Sequence, residues 1–445
     1  MSSELSSTFD LYSFLALMRS LDISRLYAKR LSPNDNSKNQ IYLGGDFSAL
    51  NILPTKKISE DRTARQSKRA RFKADISLSW VSQNGGISPA PGSQLILYPK
   101  YPEVRLSGFL RGSKEAPNNI LTKRTPGRLL LMGIKDEGTV IAAAVSGNSA
   151  ISRALDTMER PKVLGVFFDL TPLLAKTSST KIKMLKALHA IHQKGWIKSK
   201  RLDASGLLHD CNAPNCGGLT LEAELGISSN PDKKPDYLGW EVKQHNVKDM
   251  NFPRKANAIT LITPNPTRGY YKEHGVEEFI RRFGYPDISG IPGRINFGGP
   301  YWNNIPYHRN NITLTLSGYN AEDNKILDTG GGIRLMTSKG ELAAEWDYAE
   351  LISHWNRKHA LAVYVPSQKK DTPRKYRYGK LVEVAEGTDF LKFLSCLASG
   401  IVYYDPGLHV SDVKDETKER NQFRIARRNI PYLYSVTEIV NLDKI

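Results

Sequence analysis

Apolar and polar positions fall into a strand rhythm over the first part of this chain and a mixed rhythm over the rest. Leu11, Phe14, Leu15, Leu17 and Met18 recur at helical spacing and predict a short amphipathic helix. Residues 26–31 and 40–43 read as strands joined by a polar turn at 32–36. Further strand-like runs follow at 74–81, 94–98, 128–132, 139–145 and 163–169. Their number and short spacing predict a β barrel or sandwich. The Gly-Gly and Pro-x-Pro pairs around 85–92 are turn chemistry, since no helix signal follows them.

Residues 172–179 read as a linker, which sets two domains, 1–175 and 176–445. Ile182, Leu185, Leu188 and Ile191 then form a helical stripe that stops near Gly195. Leu219, Leu221 and Leu225 are suited to anchoring another helix. Trp240-Glu241-Val242-Lys243 alternates with period two, so Glu241 and Lys243 share one face of a strand while Trp240 and Val242 pack the other. A strand at 257–263 is expected beside that unit, and a short helix at 275–283 carries Arg281 and Arg282. Residues 361–365 and 397–404 add further apolar pieces.

Composition narrows the partners. At 445 residues the chain exceeds one ordinary core, and its 40% hydrophobic content is enough for two. Its 63 Lys and Arg against 45 Asp and Glu give a net charge of +18, which points to a polyanion. No apolar run reaches transmembrane length and no signal peptide or lipidation box is evident, so the expectation is a cytoplasmic protein on DNA rather than on a membrane. Three cysteines argue against a disulfide scaffold. Cys211 and Cys216 with His209 supply three ligands where structural zinc wants four, so a loop leading into the following helix is preferred. His189 and His192 share a helix face at i, i+3, a spacing that describes a surface pair as well as a metal site.

The candidate chemistry lies in Pro235-Asp236, four residues, then Glu241-x-Lys243. Two carboxylates held close repel unless a cation sits between them. All-oxygen ligands suit Mg²⁺, which polarises a scissile phosphate and lowers the pKa of a bound water. Asp236, at the start of the strand or on its hairpin partner, can fold back beside Glu241. Lys243 can orient or activate that water and offset developing charge, and Glu222 can serve as a third carboxylate that reaches the metal or its water. The short motif alone also describes a solvated strand face. The longer string, Gly-Gly-Leu-Thr-Leu-Glu-Ala-Glu-Leu-Gly-Ile from Gly217 and then Pro-Asp-Tyr-Leu-Gly-Trp-Glu-Val-Lys-Gln from Pro235, resembles the active-site region of MvaI/BcnI-type restriction endonucleases, relatives of the repair nickase MutH. This resemblance covers about the last 265 residues. It implies an α/β PD-(D/E)xK nuclease core, Mg²⁺, metal ligands Asp236 and Glu241, and catalytic roles for Asp236, Glu241, Lys243 and Glu222.

A second resemblance lies upstream. Lys29-Arg30-Leu31-Ser32-Pro33-Asn34-Asp35 and the segments around Arg105 and Arg111 are similar to the N-terminal effector domain of EcoRII-type restriction enzymes. That family's domain is an all-β, seven-stranded pseudobarrel gripping DNA with two arms. The implied arms are Lys29, Arg30, Asn34, Asp35 and Asn36, and then Arg105 and Arg111. Between them, residues 56–73 hold eight bases and two acids, a solvated loop or a phosphate contact.

In the second half, the loop 296–311 mixes Tyr301, Trp302 and Tyr307 with amides and Arg309, which suits either a DNA-facing loop or a packed one. Arg420, Gln422 and Arg424 alternate along an extended tail, and Arg and Gln are common major-groove readers. His245 is assigned with them to DNA contact. The combined expectation is a type IIE-like restriction endonuclease cutting double-stranded DNA. Its target by family is CCWGG, with CCSGG or CCNGG open, and its N-terminal domain binds a second copy of the site. A single catalytic triad and the family favour a monomer that nicks each strand in turn, alongside a cognate DNA methyltransferase. The alternatives are a MutH-like nickase, a methylation-dependent endonuclease, and a non-catalytic DNA-binding repressor.

Overall fold

The structure is a computed structural model that describes residues 5–7, 9–38, 40–61, 70–158, 162–174, 180–228, 236–359 and 361–445. Part of the basic run (62–69), the end of the expected linker (175–179) and Pro235 therefore lie outside the described residues. The chain divides into two compact units, Met1–Lys183 and Met184–Ile445.

The first unit is built on two sheets. Seven strands run in the order Val163–Leu164, Phe167–Asp169, Arg25–Arg30, Leu129–Ile134, Val140–Val145, Leu78–Val81 and Ile87–Pro89. Leu129–Ile134 and Val140–Val145 are buried at every position, which is why their sequences read as unbroken apolar runs rather than alternating ones. Five more strands form a second sheet, Ile41–Gly44, Glu103–Ser107, Gln94–Tyr98, Phe72–Asp75 and Ile58–Glu60. Here alternation is clear, for Val104 and Leu106 are buried while Glu103, Arg105 and Ser107 are half-exposed. The helix Leu11–Ser20 starts at Asp10, whose carboxylate caps the Ser13 amide at 2.7 Å. It buries Phe14, Leu15 and Met18 in a core shared with Leu26, Ala28, Leu129 and Leu131. The observed unit is thus β-rich and, among the described residues, has more strands than the seven implied by the effector-domain resemblance.

The second unit mixes helix and strand. Leu361–Asp371 is the spine of its main sheet. Leu381–Glu386 and Arg374–Tyr378 run antiparallel to it, Glu241–Asn246 runs parallel, and Val436–Asn441 and Ile197–Lys198 extend the sheet outward. Helices Thr180–Gln193 and Cys216–Glu224 cover one face. Met184, Leu185, Leu188, Ile191 and Leu221 meet Trp240, Val242, Val363, Val365 and Tyr376 there. Burying one such large side chain contributes roughly 1.5–3 kcal/mol, so this layer fixes the strand that carries Glu241.

Three readings of this half change. Ile259–Ile262 pairs with Phe423–Ile425 in a separate three-stranded sheet, not with the strand of Glu241. The helix expected from Gly275 begins at Tyr270 and kinks at Gly275, whose φ of 86° is open to glycine. Cys211 and Cys216 are joined in a disulfide, where the sequence favoured a plain loop leading into the helix. The odd cysteine count could not reveal it, because Cys396 is the buried remainder.

Candidate active site

The site begins with a two-residue turn. Tyr237 and Trp240 exchange backbone hydrogen bonds of 3.0 and 2.8 Å, and between them Leu238 and Gly239 have φ of 50° and 86°. Two positive φ values at the central positions are the signature of a type I′ hairpin turn. The reversal lays Asp236 beside the next strand, where its Oδ2 accepts from the Val242 amide at 2.9 Å. Since Trp240 and Val242 go into the core, Glu241 and Lys243 project from the opposite face.

Glu241 is 4% exposed and one of its oxygens, Oε1, accepts from Lys243 Nζ at 3.0 Å. The other, Oε2, is buried with no hydrogen-bond partner. Burial first, and then the charge of Glu241, push the carboxyl of Asp236 up to about 7, with Glu222 adding to the rise. The Val242 amide and Lys243 oppose this and are outweighed. Burial also works to strip the proton from Lys243. Glu241, Tyr364 and Asp236 overcome it and hold its pKa above the usual lysine value. The ammonium is therefore charged at neutral pH.

This arrangement fits a divalent cation. An orphaned carboxylate oxygen in a buried position is costly, and a neighbouring carboxyl that resists ionisation is the partner a cation would satisfy. Asp236 and Glu241 would hold it. Among the described residues no three His, Cys, Asp or Glu side chains converge as a ligand set. Glu222, at the end of its helix, affects Asp236 electrostatically without completing a three-carboxylate cage.

The same sheet face holds groups that the sequence did not single out. Lys243 stands opposite Tyr364, and Tyr364 opposite Glu383. Tyr364 and Glu383 are fully buried, and Arg427 covers them, pairing with Glu383 and lying 5.0 Å from the Tyr364 ring centre. Arg254 joins Glu383 at 3.1 Å, and the hydroxyls of Tyr364 and Tyr434 are 3.2 Å apart. The only sequence signal was a charged residue inside the apolar run Leu381–Glu386. Its partner 44 positions later was not readable.

Several expected DNA contacts point inward. His245 is buried, its Nε2 lies 2.8 Å from the Pro253 carbonyl, and burial together with Arg427 holds its pKa down near 3. It is a neutral packing residue here, not a surface contact. Gln422 is buried and its Oε1 accepts from Thr260 at 2.9 Å. Arg424 is held by Asp405 at 2.6 Å and by the Ala258 carbonyl at 2.9 Å, while Arg420 is exposed. In the loop 296–311, Tyr301 and Tyr307 pack against other rings, and Arg309 is exposed over Tyr285 at 5.4 Å. The two histidines of the first helix of this unit are tied to protein groups, His192 to the Tyr378 carbonyl and His189 to Gln193.

In the first unit, Lys29, Asp35 and Asn36 are buried. Lys29 pairs with Asp35 at 2.5 Å, Asp35 also caps the Tyr42 amide at 2.9 Å, and Asn36 bonds the Pro33 carbonyl at 3.1 Å. These three build the tip that was expected to bind. Arg30 is engaged by Asp156, and Arg105 by Glu103 at 3.1 Å. Asn34 and Arg111 are exposed. A cavity of about 600 Å³ is lined by Lys29, Asn34, Tyr42, Arg105 and Arg124 among others, so residues of both expected arms meet around one space.

The sequence model of the MvaI/BcnI restriction endonuclease family matches residues 185–434. The chain belongs to this family. It is accordingly a type II site-specific deoxyribonuclease, with DNA as its substrate. Among solved structures, this MvaI/BcnI-family enzyme is similar to one titled "Restriction endonuclease MvaI-cognate DNA substrate complex", at 15% identity over 59% of this chain and 99% of that one, with a TM-score of 0.45. It is also similar to "Restriction endonuclease MvaI in the absence of DNA", at 16% identity over 60% of this chain and 100% of that one, with a TM-score of 0.32. No curated protein matches it. No described helix is long and apolar enough to cross a membrane.

Proposed function

We propose that this enzyme hydrolyses DNA phosphodiesters at the hairpin formed by Asp236, Glu241 and Lys243, with Mg²⁺ held by the two carboxylates. The observation that carries this reading is the buried, unpartnered Oε2 of Glu241 beside the high-pKa carboxyl of Asp236. When bound, Mg²⁺ supplies electrophilic activation of the phosphate and a more acidic water. Asp236 must give up its proton to take part. Glu241 stays fixed by the strand and by Lys243. Lys243, held charged, donates from Nζ toward the attacking water or the phosphate oxygens and offsets the charge that builds there. Its raised pKa keeps it a cation in the metal-free site. Glu222 is assigned to the water side of the site.

The first unit is assigned to binding a second copy of the site, as an EcoRII-type pseudobarrel effector domain would, giving a type IIE-like enzyme in a pairing that resembles UbaLAI. The cavity beside Arg105 and Asn34 supports that placement. The target is proposed to be CCWGG, or its CCSGG and CCNGG relatives, cut by a monomer that works beside a cognate methyltransferase.

The test is digestion of a plasmid carrying one or two candidate sites with Mg²⁺, with the ends mapped by sequencing. Asp236→Ala, Glu241→Ala and Lys243→Ala are expected to abolish cutting while DNA binding in Ca²⁺ survives. Cutting by any of the three in Mg²⁺ overturns the site assignment. Nicking of one strand only supports the nickase reading instead, and cutting confined to methylated plasmid supports the methylation-dependent one. Arg105→Ala is expected to weaken binding by the first unit without moving the cut.

A further inference from the structure

The second unit carries a row of cations that the cleavage chemistry leaves unused. Ile197–Lys198, Arg374–Tyr378 and Leu361–Asp371 lie side by side, and their register sets Lys198 opposite Lys375 and Lys375 opposite Lys370. Arg377 shares the face of Lys375, because Tyr376 and Tyr378 turn into the core. The ring of Trp196, just ahead of the first strand, is approached by both Lys370 and Arg377, at 4.5 and 5.0 Å from its centre. Lys198, Lys370 and Arg377 are exposed and Lys375 half-exposed.

Like charges directly opposite on neighbouring strands destabilise a sheet. Lys370 and Arg377, sharing one ring, also lie within about 10 Å of each other, the screening length at 0.1 M salt. Compensation is sparse. Among the described residues the ion pair of this row is Lys198 with Asp210, at 2.8 Å and with both side chains exposed. Arg377 donates instead to the neutral Gln368 side chain, at 2.8 Å. Folding alone does not favour such a row, whereas a polyanion laid across it would relieve every one of these repulsions.

Position names the polyanion. Lys370 and Tyr364 occupy the same face of one strand, and Tyr364 is the cross-strand partner of Lys243. Six residues at roughly 3.3 Å each put the row on the order of 20 Å from Lys243. Along duplex DNA, at about 3.4 Å per step, that is around six base pairs. We infer that Trp196, Lys198, Lys370, Lys375 and Arg377 form a surface for the phosphates of duplex DNA flanking the cleaved sequence. The inference rests on the cleavage reading above and extends it to the DNA beside the cleaved sequence.

The experiment compares the full-length wild type with the Lys370→Gln/Lys375→Gln/Arg377→Gln variant. The substrates are one duplex with about fifteen flanking base pairs on each side of the site and one with about three, lengths set by the six-base-pair span. Single-turnover cleavage is followed from 50 to 200 mM salt. On the long duplex the variant is expected to lose about tenfold or more in kcat/KM with its saturating rate unchanged, and its salt slope is expected to fall by about 0.9 per lost phosphate contact. On the short duplex the two proteins should cut alike. Equal behaviour of variant and wild type on the long duplex overturns the surface, as does an equal loss on both duplexes. A wild type that cuts neither duplex instead overturns the cleavage reading, and the surface with it. The melting temperature of the variant should be no lower than that of the wild type, since the exchanged groups repel one another; a lower value assigns the row to the fold rather than to DNA.

Discussion

Arg427 and Glu383 pair at 2.5 Å with neither side chain reaching solvent, and they do so on the sheet face that also carries Lys243. Removing Glu383 leaves the buried Arg427 without its counter-ion, at a cost of roughly 3–5 kcal/mol. Glu383→Gln is expected to lower unfolding stability by that order in urea titrations, and Arg427→Met by less, because Arg254 stays paired with Glu383. Arg427→Met/Glu383→Leu together should recover a substantial share, though Arg254 then also loses its partner. A Glu383→Gln variant within about 1 kcal/mol of the wild type would show that water reaches the pair.

Asp236 sets the pH response. In the folded, metal-free protein its pKa of about 7 lies above the ordinary value of 3.8. Between these values the unfolded chain is ionised and the folded one holds its proton. The metal-free fold therefore loses stability as pH rises through this window, and the full cost is present above 7. Three units correspond to about 4 kcal/mol, and partial exposure to solvent reduces this to about 2. Asp236→Asn should raise the melting temperature at pH 8 without metal and leave it nearly unchanged at pH 4. Cleavage by the wild type should rise with pH to a plateau whose midpoint moves lower as Mg²⁺ is increased, because metal and proton compete for the same carboxylate. A midpoint independent of Mg²⁺ concentration would remove Asp236 from the ligand set.

Divalent ions should also stabilise the fold. A cation bound to the native pair adds RT ln(1 + [L]/Kd), about 2.7 kcal/mol at a hundredfold excess over Kd. Ca²⁺ or Mg²⁺ is expected to raise the wild-type melting temperature and EDTA to return it, while Glu241→Gln should lose most of the response. An equal response in that variant would place the ion elsewhere.

The chain made its local chemistry legible and hid its long-range pairings. The period-two alternation at Trp240–Lys243 placed Glu241 and Lys243 on one face correctly, because Trp240 and Val242 had an apolar layer to join. The stripe from Ile182 to Ile191 was equally plain: Leu185, Leu188 and Ile191 are buried, with Met184 beside them, and Ile182 alone remains 39% exposed. What the spacing did not separate was polar side chains at the surface, such as Asn34, Arg111, Arg309 and Arg420, from those turned inward. Lys29, Asp35, His245 and Gln422 each find a partner inside, and such partners are set by tertiary contacts no spacing rule contains. The strand at Ile259–Ile262 was read in place but given the wrong neighbour, since its partner is contributed from 423–425.

Leu238 tests the turn itself. A leucine at φ 50° bears the Cβ crowding of the left-handed region, roughly 1–2 kcal/mol, and its side chain is 44% exposed and returns little of that. Leu238→Gly relieves the crowding and raises backbone entropy in the unfolded chain, so a net gain of about 0.5 kcal/mol is expected, with cleavage unchanged. Leu238→Pro cannot adopt a positive φ and should break the turn, releasing Asp236 from the Val242 amide and abolishing cutting. Full activity in the proline variant would mean that Asp236 is not positioned by this hairpin.

The disulfide Cys211–Cys216 closes a short loop immediately before the helix that bears Glu222, and Cys216 is the first residue of that helix. Loop closure over five residues removes about 2 kcal/mol of unfolded-state entropy. The helix has further ties, since Glu224 pairs with Lys194 at 2.5 Å and Tyr378 donates to the Gly217 carbonyl at 2.8 Å. Reduction should therefore loosen the helix start without unfolding the unit. Cys211→Ser/Cys216→Ser is expected to lower stability by about 2 kcal/mol, and dithiothreitol should lower the melting temperature of the wild type but not of the variant, which has no bond left to reduce. Thiol titration of the denatured wild type without reductant should find one free cysteine, Cys396, and three after reduction. Three titratable thiols in the unreduced protein would show that the pair is open in solution.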